Sequence, residues 1–499
     1  YGDPESRIVL TFINNLKNDL ERDLQDLAKV YTLHSFCLGL LYQEGALRFG
    51  LSRNFVCVPR LASLISRDWE IINGDEAPKF VSEMRGLADQ NHTAFYIDRG
   101  NYYDSVDFDD SVYRVYMGYT QSYIRPKDYD LVLIDEYQDF NRLEAGIVDI
   151  LGENNPIMIA GDDDQALYSQ LRSASWEYIR SMRNGGEYEV FKLPFCMRCP
   201  KVIVDAVNGI LTKARLNHNL DGRIEKPYRF FPLVKGEDSN KYPKITVVET
   251  STQSKKVNFF GKYIEEYIKG ISENEISQAS EGNFPTVLII AAEPYRGQII
   301  DHLKEAGFDI ETSHKHDDEL NREKGLTILQ ENPESNIGWR ILLEFDKPLF
   351  LEKTVIASAG RSQPLINLIP EEYRNKIQIE VDELSLSNEE NKTTLEKSSD
   401  KKSLLPEIRV TSFEGSKGMS AQHVFIAGLH RGEIPRDSSN IKDLEICKFV
   451  VGLTRTRKKC TLLYTKHFGI SWKDPSPFIS WIEEGNIELI KVSKQYWEK

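Results

Sequence analysis

Leu131-Val132-Leu133-Ile134 runs straight into Asp135-Glu136-Tyr137-Gln138-Asp139, and no other junction constrains the chain as strongly. An uncharged apolar run of this length suits a strand buried on both faces, as in a parallel sheet whose carboxyl edge gathers ligands. The junction therefore predicts an α/β fold with carboxylates at a binding edge. Two readings of the acids fit. They form a solvated turn after a core strand, or one carboxylate holds Mg²⁺ on phosphates while its neighbour orients or deprotonates an attacking water.

Further strand signals at 8–12 and 156–160 flank this one, and a second set lies at 286–291, 408–411, 423–427 and 460–464. The 499 residues exceed what one core serves, so two α/β cores are expected. Aromatic-rich, helical sequence at 45–127 interrupts the first core, and 322–404 interrupts the second. Within the latter, the polar stretch 384–403 has no aromatic residue and reads as a flexible loop.

No apolar run is long enough to span a bilayer, and no basic segment followed by an apolar stretch opens the chain, which points to a cytoplasmic protein without a membrane partner. The net charge of −14 excludes a uniformly basic coat but not a local basic groove. Six cysteines without a regular framework fit a reducing compartment, and the isolated pair Cys196-x-x-Cys199 lacks the further ligands of a zinc site. Because a core strand follows Tyr1 so closely, the sequence is expected to be a fragment whose beginning lies upstream.

A second strand, Ile157-Met158-Ile159-Ala160, ends in Gly161-Asp162-Asp163-Asp164-Gln165-Ala166-Leu167-Tyr168. Adjacent parallel strands would bring Asp135, Glu136, Asp162 and Gln165 to one edge, where an uncharged amide can sense a terminal phosphate without repelling it. These two segments resemble motifs II and III of the superfamily 1 DNA helicases of the UvrD, Rep and PcrA kind. The other motifs follow in order. Leu10 to Asn15 (LTFINN) resembles motif Ia, and Tyr31 to Phe36 (YTLHSF) resembles the DNA-contacting motif after it. Leu193 to Pro200 (LPFCMRCP) resembles motif IV, Thr411 to Ile426 (TSFEGSKGMSAQHVFI) motif V, and Val451 to Arg457 (VGLTRTR) motif VI.

The resemblance implies two RecA-like P-loop NTPase domains with parallel sheets, each carrying a mostly helical insertion. The first would comprise 1–44 and 128–190 with insertion 45–127, the second 191–321 and 405–499 with the reduced insertion 322–404. It implies an ATP- and Mg²⁺-dependent helicase moving 3′ to 5′ on single-stranded DNA, acting at duplex junctions beside repair or replication proteins. Asp135 would hold Mg²⁺ and Glu136 would be the catalytic base. Gln165 would couple the γ-phosphate to DNA, and Arg198 and Arg455 would be arginine fingers. Phe12 and Tyr168 would stack on bases, although either also suits a core. Asn14, Thr32, His34 and Lys417 would contact the DNA strand.

The departures are equally specific. The phosphate-binding Gly-x-x-x-x-Gly-Lys-Ser/Thr is absent, and neither Gly261-Lys262 nor Gly415-Ser416-Lys417-Gly418 fits it. Met197 replaces the aromatic that stacks on adenine, Gln170 a tryptophan, and Ser420 an acidic residue of motif V. Two alternatives from other classes are an ATPase-deficient DNA-binding relative and the motor portion of a helicase-nuclease.

Overall fold

The computed structural model describes residues 3–88, 90–312, 320–361, 363–392 and 405–498; the side chains at 14–15, 44–47, 90, 170–171 and 385–392 fall outside that description. Two parallel sheets organise the chain. The first contains β1 (Arg7–Thr11), β2 (Lys29–Thr32), β3 (Leu131–Ile134) and β4 (Ile157–Ile159) in the order β2-β1-β3-β4. Alternation sends Ile8, Leu10, Val132 and Ile134 into the largest core, whereas Val9 and Leu133 meet Val30 on the other face. Leu10 lies opposite Ile134, which lies opposite Ile159, so the acidic ends of β3 and β4 leave the sheet side by side. β4 is an edge strand, and its Met158 is 59% exposed.

The second sheet contains β5 (Ile245–Thr250), β6 (Val287–Ala291), β7 (Ile310–Thr312), β8 (Ile408–Thr411), β9 (Ala421–Ala427), β10 (Thr456–Thr465) and β11 (Ile487–Val492). Their order is β7-β8-β6-β9-β10-β5-β11, parallel throughout. Both faces are covered. Leu288, Ile290, Val424 and Ile426 face one core, while Ile289, Phe425 and Leu463 face another. The fold class is thus α/β with parallel sheets and many helices. All the strands signalled in the sequence are present. The structure adds β2, β5, β7 and β11, three of them at sheet edges, where polar residues on the open side weaken the apolar signal.

Helices Leu61–Asn73, Phe80–Gly86, Gln90–Tyr103 and Phe108–Thr120 fill the segment between β2 and β3. Arg322–Glu331, Asn336–Asp346, Leu351–Ser358 and Glu371–Lys392 do the same between β7 and β8. The last helix corrects the expectation of a loop from 384. Leu384 still packs on the core, so the helix has an apolar face to continue on; residues 393–403 lie outside the described residues.

The two helical groups share a core in which Leu64, Ile65 and Val112 join Leu329, Ile341 and Val355. Within it the fully buried Asp68 accepts from Arg99 at 2.6 Å and from Arg340 at 2.8 Å. Arg99 reaches on to the Ser358 carbonyl at 3.3 Å. Removing the shared carboxylate leaves the buried Arg99 without its acid and Arg340 with Glu344 alone at 2.9 Å, a loss on the order of 3–5 kcal/mol. Asp68→Ala is expected to lower the unfolding free energy by about that much in a urea titration. A change below about 1 kcal/mol, the range of an exposed pair, would show that water reaches the network.

Candidate active site

The carboxyl edge of the first sheet is built by two turns. Asp135 continues the ladder by donating its N–H to the Leu10 carbonyl at 2.9 Å, and its side chain accepts the Glu136 N–H at 2.9 Å. Glu136 then adopts a left-handed conformation with φ of 55°, which costs a non-glycine residue about 1–2 kcal/mol and is tolerated where the surroundings impose it. Gln138 is one such support. Its amide nitrogen donates to Glu136 Oε2 at 2.5 Å, while its oxygen accepts the Asp162 N–H at 2.9 Å and so ties the ends of β3 and β4 together.

Lys417, from the segment between β8 and β9, reaches this edge from the other sheet. It is 1% exposed, lies 3.2 Å from Glu136, donates to the Asp139 carboxylate and donates to the Gln165 carbonyl at 2.9 Å. Burial works against its ammonium, but Glu136 and Asp139 more than offset that and keep it charged. Burial likewise opposes the Glu136 carboxylate, yet Lys417 and Arg455 hold it below the usual range. Asp135 moves the other way, pushed up to about 6 by burial and by the adjacent Glu136. Neighbouring carboxyls with opposite shifts suit different roles.

Gln165 links the sheets. Its Nε2 donates to Asp162 at 2.8 Å and its Oε1 accepts from Arg455 at 2.9 Å. Arg455, buried at the end of helix Asp443–Thr454, also donates to the Val451 carbonyl at 3.0 Å and to Met419 at 3.2 Å. Arg198 donates to the Thr454 carbonyl at 3.5 Å. Burial and the charge on Arg198 push Arg455 down to about 10. Arg455 beside Gln165, with the like charge of Arg198 near it, leaves a cationic spot that an anion would neutralise.

The acidic run Asp162, Asp163 and Asp164 has oxygens close enough to chelate an ion, but it is already matched by cations. Lys226 lies 2.7 Å from Asp162 and 2.5 Å from Asp163; Arg180 binds Asp163 at 2.8 Å, and Arg223 pairs with Asp164. Asp135 is the better metal ligand. One of its oxygens serves only the Glu136 amide, and the neighbouring Thr11 hydroxyl is buried without a hydrogen-bond partner. Hard oxygens with too little positive charge nearby fit a small divalent cation shared with phosphate oxygens.

Of the residues expected on DNA, Phe12, Thr32, His34, Tyr168 and Lys417 have protein partners. Lys417 is buried among carboxylates, with Glu136, Asp139 and the Gln165 carbonyl as its partners. Thr32 caps helix Leu33–Leu40 by accepting the Ser35 N–H at 3.1 Å. His34 accepts from Arg172 at 3.1 Å, and Arg172 also binds Glu144 at 2.8 Å. The Arg172 guanidinium covers Phe12 at 4.1 Å, and Phe12 packs at 5.2 Å from Tyr168, whose hydroxyl donates to the Glu414 carbonyl at 3.0 Å. The Asn14 side chain lies outside the described residues. Sequence reasoning missed Asp139, although it stands in the same acidic motif, and it missed Arg180, Arg223 and Lys226, which no local pattern marks.

Burial and the charge on Arg172 push His34 down to about 3, so the folded protein holds a neutral imidazole. A base with a depressed folded pKa contributes stability that is complete above its unfolded pKa near 6.5 and is lost as pH falls toward the folded value. His34→Gln is expected to flatten the stability profile between about pH 6 and pH 4 by up to about 1.4 kcal/mol per pH unit. Denaturant titrations across that range measure it, and an unchanged slope would mean that His34 is protonated in the folded state.

Residues 75–185 match the model of the UvrD/REP helicase N-terminal domain, a span that contains Asp135, Glu136, Gln165 and Tyr168. The chain is also 30% identical over 128 residues to DNA helicase II of Haemophilus influenzae. That likeness covers 24% of this chain and 18% of the relative's length. Both matches support a UvrD-like helicase.

Proposed function

We propose that this chain is the motor of an ATP-dependent DNA helicase or translocase. It would have two RecA-like domains, 1–44 with 128–190 and 191–321 with 405–499, carrying the insertions 45–127 and 322–404. The observation that carries the reading is Arg455, bonded to Gln165 and near Glu136, with the like charge of Arg198 beside it; neither arginine makes an ion pair within the distance of a salt bridge among the described residues. A polyphosphate would supply the missing negative charge. Asp135 would hold Mg²⁺, which would neutralise phosphate oxygens there. Glu136 would take the proton of the attacking water, and Gln165 would hold that water while relaying the state of the phosphate to Arg455. Single-stranded DNA would cross the carboxyl edges of both sheets near Phe12, Asn14, Thr32, His34 and Tyr168, with movement 3′ to 5′ and a role in repair or replication.

One observation favours the ATPase-deficient alternative: Glu136 and Gln165 are already bonded to Lys417 and Arg455. Hydrolysis would require Glu136 to exchange that lysine for water. The protein expressed from its full coding sequence is expected to hydrolyse ATP faster with single-stranded DNA. Glu136→Gln should cut turnover by at least about 10²-fold while leaving nucleotide affinity nearly unchanged. Unaltered turnover would remove Glu136 from the mechanism, and no DNA-stimulated hydrolysis in the wild type would leave the binding-only relative.

A further inference from the structure

Cys196 and Cys199 have no part in the proposed chemistry, yet their surroundings are built. Cys196 ends the short strand Phe195–Cys196, which pairs with Arg229–Phe230. Cys199 precedes Pro200, the cap of helix Lys201–Leu216. The Tyr228 hydroxyl donates to the Cys196 sulfur at 3.8 Å, and the Cys199 thiol stands three residues on in the same turn before the helix. Polar neighbours, the Cys199 thiol first and Tyr228 among them, hold the Cys196 thiol down to about 5 against the opposing effect of burial. Cys196 is partly exposed, whereas Cys199 is fully buried.

A low-lying thiolate that solvent can reach, with a second thiol behind it, is the arrangement of an attacking and a resolving cysteine. Metal binding does not account for it. Among the described residues the one group of three or more ligand side chains is Asp162 to Asp164, so the pair has no third ligand. The other contact of Cys199 is informative: its sulfur lies 3.5 Å from the Thr454 carbonyl, which also accepts from Arg198 and belongs to the residue before Arg455.

We propose that Cys196 and Cys199 form a peroxide-reactive dithiol whose closure to a disulfide withdraws Cys199 from the Thr454 carbonyl and shifts the loop bearing Arg198. In the first step the Cys196 thiolate attacks hydrogen peroxide. An S–O bond forms, the O–O bond breaks and hydroxide leaves, so sulfur is oxidised to a sulfenic acid while peroxide is reduced. The Cys199 sulfur then attacks Cys196, forming the S–S bond and breaking the S–O bond. The hydroxyl leaves with the Cys199 proton, and the sum is dithiol plus peroxide giving disulfide and two waters. Any effect on nucleotide binding rests on the proposed function, but the disulfide does not.

The full chain, treated with stoichiometric hydrogen peroxide, alkylated and digested, provides the test. The peptide holding both cysteines should lose two hydrogens, regain them with dithiothreitol, and react at least about tenfold faster than Cys57, which is also partly exposed. Amide exchange across 450–457 should rise on oxidation. In Cys199→Ala the reaction should stop at a sulfenic acid on Cys196 that dimedone traps, and in Cys196→Ser no disulfide should form. A pair still reduced after excess peroxide, or a Cys196 no faster than Cys57, would overturn the dithiol. Unchanged exchange across 450–457 would overturn its link to Arg455. None of these readouts requires ATP hydrolysis.

Discussion

The charge on Lys417 is the interaction on which the arrangement of the two sheets depends. A buried ammonium is tolerated only where carboxylates meet it, and Glu136 and Asp139 come from the first sheet while Lys417 belongs to the second. Its further bond to the Gln165 carbonyl extends the tie from the end of β3 to the turn after β4. The strained backbone at Glu136, the bridging amide of Gln138 and the orientation of Gln165 are all organised around that charge.

Arg455 stands in a related position with the opposite balance. It reaches Gln165 from the second sheet, but burial and the like charge of Arg198 outweigh the attraction of Glu136. The seam between the sheets thus has a neutralised part at Lys417 and a part with surplus positive charge at the arginines. Asp162 to Asp164 with Arg180, Arg223 and Lys226 make a second neutralised part. An incoming anion would meet its electrostatic reward at the arginine pair.

Legibility in the sequence followed physical locality. The acidic ends of β3 and β4 could be read because a strand and its carboxylates are contiguous, and alternation with period two marks a buried run wherever it lies. Gln165 and Arg455 could be placed together only through the family resemblance, since 290 residues separate them. The resemblance places Lys417 on DNA, and nothing local in the sequence reveals that Asp139 and Glu136 surround it. Arg223 and Lys226 were invisible for the same reason: their partners lie near residue 163. The helix through Lys392 was missed because its polar composition matches that of a loop, while the apolar support at Leu384 is a single residue.

The shared core around Asp68 has a consequence for the order in which the molecule can mature. Asp68 and Arg340 are 272 residues apart, and ribosomes add about 5–20 residues per second. The first helical group therefore waits tens of seconds, at that rate, with an acid whose second cation has not been made. During that interval its apolar face has no lid, since Leu329, Ile341 and Val355 are also still to come. A nascent chain of this design passes through a stage with exposed apolar surface, when a chaperone has something to hold.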